Sequence, residues 1–370
     1  MVTLNPIHDL VITHEGVYQA AHRSRSVKVN AITSATVRMS RETAYDICDI
    51  EFPNHKTFTS NVFNEEDSVE LKLGYRNAIA LTTVFAGKIK EIKPGLPLKI
   101  SCESRGATML KGEINKLYED STWKEIASDV ITAAGLIPKI AEVEPPARPR
   151  KNFRISGQTP AQVLNYAAKE TRWDWYVIPG TDECWFGPYD QEHAEEEISY
   201  RFIVGMNVFS GDCELIYRSR AKRVKAVRVV LTDSQWQSET VIGEYYADDY
   251  NDGDYVLTVE KDDPSPTVER AEEIALAEYR KSARSGFEGK FTAVGNPMLQ
   301  QGSRIAISDP KHDGAPFLNT VGVTGDEREE KIREYFDDLV YRHATVEEVT
   351  HNFGNGEYLM DVKVAGGYSE

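Results

Sequence analysis

Apolar and polar positions alternate with a period of two through most of the first hundred residues. The alternation covers residues 26–31, 36–39, 45–52, 67–74, 84–92 and 98–102, and in the fourth of these runs Val69, Leu71 and Leu73 share one face. Short alternating runs separated by Gly, Pro and Asn predict an antiparallel barrel or sandwich, because each strand buries one face and exposes the other. The period then lengthens. Trp123, Ile126, Ala127, Val130, Ile131 and Ala134 recur at helical spacing behind a capping box formed by Thr122 and Glu125. Gly135 and Pro138 supply the stop. A second helix opens at Pro160, where a missing N–H costs nothing, and offers Val163, Leu164 and Ala167 for burial. Two short strands, 173–178 and 184–186, follow it.

From residue 196 onward the alternation returns, at 198–202, 224–231, 239–246 and 255–259. One helix interrupts it over 267–283, with Ala271, Ile274, Ala275 and Tyr279 on its inner face, and the alanines allow close approach to a sheet. Three strands complete the pattern at 296–307, 341–351 and 356–364, the last two joined by a turn through Gly354, Asn355 and Gly356. The chain therefore reads as mainly β with an α+β insert. Its predicted domains are a first β-barrel over 1–106, an α+β connecting domain over 107–195, and a second β-barrel over 196–370. The last contains one helix and an insertion near 309–338, in which Ile332, Tyr335 and Phe336 are available for burial or contact.

Length and composition fit two or three soluble domains: 370 residues, 41% hydrophobic and 28% charged. No run approaches the roughly 18 apolar residues of a membrane helix. The N-terminus has neither a basic nor an apolar leader segment, so no signal peptide is expected. Four cysteines lie far apart, and Cys48 and Cys102 fall in apolar strands. That position suits buried thiols and folding in a reducing compartment. A net charge of −16 argues against a general nucleic-acid binder. Against it stands one basic run, Arg218, Arg220, Lys222 and Arg223, continuing to Lys225 and Arg228. It is either a solvated strand face or a contact with an acidic neighbouring subunit.

Catalytic patterns are lacking: there is no G-x-S-x-G, H-E-x-x-H, P-loop or G-x-G-x-x-G after a strand. His343 and His351 share a strand but stand too far apart to hold one metal, and a strand-end structural role is expected for His351. Glu170 and Asp174 form the one carboxylate pair worth weighing as a glycosidase site. They lie at a helix end and a strand start, where exposed charge is ordinary. Trp173, Trp175 and Trp185 are read as core packing of the α+β unit, with a stacking platform as the alternative. No cofactor is implied.

The order Pro297-x-Leu299-x-x-Gly302-x-x-Ile305-x-Ile307, then Val346-x-x-Val349-x-His351, then a hairpin return resembles the end of the phage late control gene D family. Phe85-x-Gly87-x-Ile89, the strand 98–102, the helix 118–136 and the helix and strand of 159–176 are similar to that family in the same order. The resemblance implies two related tail-tube-like barrels per subunit and three subunits in a ring. It implies a structural baseplate hub of a contractile tail or related injection system, an adaptor between a hexameric tail tube and a trimeric central spike. The partners it implies are two further copies of the chain, a separate spike protein, the tube protein and other baseplate proteins. It also implies that no membrane is involved, that DNA at most passes through the lumen, and that the place of action is the virion after assembly in the host cytoplasm. The competing readings are a tail-tip peptidase or glycan hydrolase, and a glycan-binding β-sandwich. Arg218, Arg220, Lys222, Arg223, Ile332, Tyr335 and Phe336 are the candidate partner contacts.

Overall fold

The structure, a computed structural model, describes residues 5–14, 25–29, 31–53, 63–76, 79–143, 145, 149, 151–171, 173–188, 200–217, 224–233, 240–248, 250–263, 266–283, 287–311, 339 and 341–365. Strands β1 (Pro6–His14), β2 (Arg25–Val29), β3 (Ser34–Ser40), β4 (Ile47–Phe52), β5 (Ser68–Tyr75), β6 (Ile79–Lys93) and β7 (Leu98–Ser104) come first. A 3-10 turn (Arg105–Leu110) leads to β8 (Ile114–Glu119), α1 (Trp123–Ala133), β9 (Ile137–Ile140) and β10 (Asn152–Gln158). Next come α2 (Pro160–Thr171), β11 (Asp174–Val177), β12 (Glu183–Gly187), β13 (Tyr200–Ile203) and β14 (Val208–Tyr217). Then follow β15 (Ala226–Asp233), β16 (Thr240–Tyr246), β17 (Val256–Asp263) and α3 (Val268–Ala283). The chain closes with β18 (Phe287–Val294), β19 (Arg304–Ser308), β20 (Arg342–Gly354) and β21 (Glu357–Ala365).

Thirteen strands make one sheet in the order β14-β18-β21-β20-β3-β4-β7-β6-β5-β1-β2, with β19 beside β20 and β13 beside β19. The expected mainly β chain with an α+β insert is present. The described strands do not close into two separate barrels. β3 takes β20 as its second neighbour, Ser34 to Ser40 against Gly354 to Glu348, so the two ends of the chain run on into one another. That pairing satisfies a backbone edge from each end at once. The two ends also share a core, with Leu10, Ile50 and Phe85 from one and Phe291, Val346 and Met360 from the other.

The α+β unit has its own core, in which Trp123, Ile126, Val130, Leu164 and Trp185 are buried. Both halves of the α1 capping box are made: Thr122 Oγ1 accepts from the Glu125 N–H at 3.2 Å, and Glu125 Oε2 accepts from the Thr122 N–H at 2.8 Å. Strand β9 joins β12 in parallel and β12 joins β11 antiparallel, while β8 and β10 pair apart from them. Trp173, Trp175 and Trp185 are all buried, as core packing requires.

Strands β15 to β17 leave the large sheet. They form a three-stranded sheet in the order β16-β15-β17, covered by α3, with a core of Val227, Val229, Leu231, Ala271, Ile274 and Ala275. A methyl group added at Gly243 would overlap the backbone and side chain of Ala271, so helix and sheet touch at closest range there. Gly243→Val is expected to cost about 1–3 kcal/mol of stability, the usual penalty of overpacking. Hydrogen exchange should confine the loss to residues 226–283.

A buried polar relay crosses the seam between the chain ends. His351 is fully buried in the last third of β20, the tenth of its thirteen residues. Its Nε2 lies 3.0 Å from the Leu299 carbonyl and its Nδ1 2.8 Å from the Tyr358 hydroxyl. The Tyr75 hydroxyl donates to the Tyr358 carbonyl at 3.0 Å. These partners fix a neutral tautomer, Nε2–H donating to Leu299 and Nδ1 accepting from Tyr358. Burial pulls the imidazole down to about 4, against an ordinary 6.5. The unfolded chain therefore takes up a proton at higher pH than the folded one. The His351 contribution is fully present above pH 6.5 and is lost as pH falls towards 4. Asp46, pushed up to about 7 by burial, has the opposite slope, so the two must be separated by substitution. The stability advantage of the native protein over His351→Gln should shrink by about 2 kcal/mol between pH 7 and pH 5 in urea titrations.

Candidate functional site

The α+β unit meets the large sheet across a cleft of about 490 Å³. Glu42, Ala44, Leu110, Ala161, Trp175 and Glu347 line it, together with Arg41 and Asp174. Arg41 follows β3, and its side chain is 3% exposed, which demands a counter-charge. Asp174 at the start of β11 provides one: its Oδ2 accepts from Arg41 Nε at 3.1 Å and from Nη2 at 2.9 Å. The guanidinium also lies over the Tyr176 ring, 4.6 Å from its centre. Asp174 Oδ1 accepts from the Trp175 N–H, and the Trp175 indole donates to Asn165 Oδ1 on α2.

Glu347 reaches the cleft because β20 is bulged. Val346 stands opposite Val364 and Glu348 opposite Lys363 on β21, which leaves Glu347 with no residue across from it. A bulge turns its extra residue off the regular face of a strand. The Glu347 carbonyl accepts from the Arg41 N–H at 3.0 Å, tying the bulge to the start of the Arg41 loop. Burial raises the Glu347 carboxyl to about 7; nearby Arg41 opposes the rise and Asp174 adds to it. The sequence carried the signal for this bulge in Val346-x-x-Val349, a break in period-two alternation.

Glu170 and Asp174 do not face one another as an acid–base pair. Each is tied to a cation from another part of the chain, Glu170 to Lys261 at 3.3 Å and Asp174 to Arg41. Cys48 and Cys102 stand opposite each other in β4 and β7, both buried, and burial pushes both thiols up. His343 pairs across from Ala306. No group of three or more His, Cys, Asp or Glu that could hold a metal occurs among the described residues. The candidate contacts Arg218, Arg220, Lys222, Arg223, Ile332, Tyr335 and Phe336 all lie outside the described residues.

No protein-family model matches this sequence, and no curated protein matches it. Solved structures match the fold over most of the chain. The 43 kDa tail protein of prophage MuSo2 from Shewanella oneidensis is 14% identical with a TM-score of 0.60, covering 96% of this chain and 98% of that one. A tail protein from Neisseria meningitidis is 12% identical with a TM-score of 0.60, covering 97% and 96%. An E. coli component of the type VI secretion system, which exhibits structural similarity to T4 bacteriophage tail proteins gp27 and gp5, is 11% identical with a TM-score of 0.51, covering 92% and 74%. The chain has the fold of phage tail proteins.

The Arg41–Asp174 pair makes an asymmetric prediction. Removing Asp174 strands a buried guanidinium, whereas removing Arg41 leaves a carboxylate that is 29% exposed and can be hydrated. Asp174→Ala should cost about 3 kcal/mol and Arg41→Met distinctly less, as read from urea midpoints at constant slope.

Proposed function

We propose that this protein is a structural hub of a contractile phage tail or a related injection system, a trimeric adaptor between the tail tube and the central spike. Two findings support this together. The fold is that of tail proteins along most of the chain. The thirteen-stranded sheet also ends in β2, β13 and β14, each of which has a single neighbour strand among the described residues. Open edges invite pairing with another chain, and a closed ring of copies removes them.

On this reading the segments 1–106 and 196–370 each supply a barrel-like half to the ring, six halves in a trimer, and 107–195 forms the α+β connection. Its partners are two further copies, a spike protein, the tube protein and neighbouring baseplate proteins. Its place is the tail of the virion, built in the host cytoplasm, and its work is mechanical rather than catalytic. The observation that carries the proposal is the likeness of fold across both β regions and the unit between them. Native mass measurement tests it. The expected species contains three copies of the 41.6 kDa chain, alone or together with the spike protein. A monomer under both conditions contradicts the proposal.

A further inference from the structure

We propose that the Glu347 cleft is a socket for one basic side chain, arginine or lysine, carried by a partner protein. The charges around it cancel in pairs except one. Arg41 is matched by Asp174. Glu42 is matched by Lys363 at 3.1 Å. Among the described residues Glu347 has no hydrogen-bond or ion-pair partner for its carboxylate. Arg41 and Lys363 are both close enough to influence it, but the bonds from Arg41 Nε and Nη2 go to Asp174 and the Lys363 ammonium is paired with Glu42. The bulge is what aims this unmatched acid into a recess instead of across to β21. A half-buried carboxylate is costly to leave unpaired, and an incoming cation removes that cost.

The walls select the kind of cation. Ala44, Ala161, Ala168, Leu110 and Trp175 present apolar surface, which suits the aliphatic stem of a long basic side chain with its charge at the tip. Arginine also gains from the flat indole and from two-point contact with a carboxylate. A hard metal ion is a poor fit, because it needs six or more oxygens and only one carboxylate is free. Leu110, 50% exposed where it borders the cleft, gives a polypeptide ligand an apolar foothold beyond the socket. The hub reading enters only in making the ligand a protein; the cation socket itself stands without it.

Calorimetric titration of the full-length protein with N-acetyl-arginine amide, and with the neutral isostere N-acetyl-citrulline amide, tests the proposal. The arginine probe should bind and the citrulline probe should not. Glu347→Gln should weaken binding about tenfold or more, the loss expected for a charge-assisted hydrogen bond. Glu214→Gln on β14, remote in sequence and paired with Lys290, should leave it unchanged. In the native protein the Glu347 carboxyl carbon, followed by NMR, should move to its ionised position when the arginine probe is added, which decides the matter even if Glu347→Gln fails to fold. Equal binding of both probes, undiminished binding to Glu347→Gln, or no binding and no carboxyl shift in the native protein would each overturn the socket. A trimer that forms normally in any of these cases leaves the hub proposal standing, so the two failures are distinguishable.

Discussion

Strand β20 carries one residue more than β21 opposite it, and that residue is Glu347. The extra residue resets which side of the strand faces the core. Ala344 and Val346 are buried before it and Val349 and His351 after it, whereas an unbroken period of two would have turned Glu348 and Thr350 inward. Everything at the seam between the chain ends depends on that reset. With it, Val349 and His351 enter the shared core, His351 meets Tyr358 and Leu299, and Tyr75 from the first third of the chain is tied in through the Tyr358 carbonyl. On the outer face the same register lines up Thr36, Asn352, Asp361 and Thr292 in a hydrogen-bonded row across β3, β20, β21 and β18. Gly295 completes the seam, since a methyl group there would overlap the Tyr358 ring.

The α+β unit is joined to this sheet by different chemistry. Its own core is separate, with Ala44 from the loop after β3 packed against it, and its polar ties to the rest are Arg41 to Asp174, Arg105 to Asp182, and the Gln301 amide to the Val177 carbonyl at 3.3 Å. The Lys261–Glu170 pair likewise fastens the small sheet under α3 to α2. Apolar seams hold the chain ends as one body, whereas polar joints hold the smaller units with less burial and more geometric selectivity.

Much of this was legible in the residues. The α1 capping box, the burial of Val163, Leu164 and Ala167, the alanine face of α3 and the turn at Asn355 and Gly356 all follow from local pattern, and local pattern is what propensity and capping report. What escaped was pairing at a distance. Nothing near Ser34 announces that it lies beside Gly354, and nothing in β15 to β17 separates those alternating strands from the ones that enter the large sheet. The cleft was half visible. Val346-x-x-Val349 recorded the bulge, but Arg41 and Asp174 are 133 residues apart and each reads as an ordinary surface charge until the fold brings them together. The burial of His351 is not visible in β20 alone, because its partners, Leu299 and Tyr358, lie on other segments.

The chain ends form one cooperative sheet through β3 and β20. Amide hydrogen exchange of the full-length protein in increasing denaturant measures that directly. Residues 34–40 and 348–354 should show the same opening free energy, among the highest in the molecule, and lose protection together. Exchange of either segment at clearly lower denaturant, with the other still protected, would mean that the two ends fold as separate bodies and that the seam does not hold the structure.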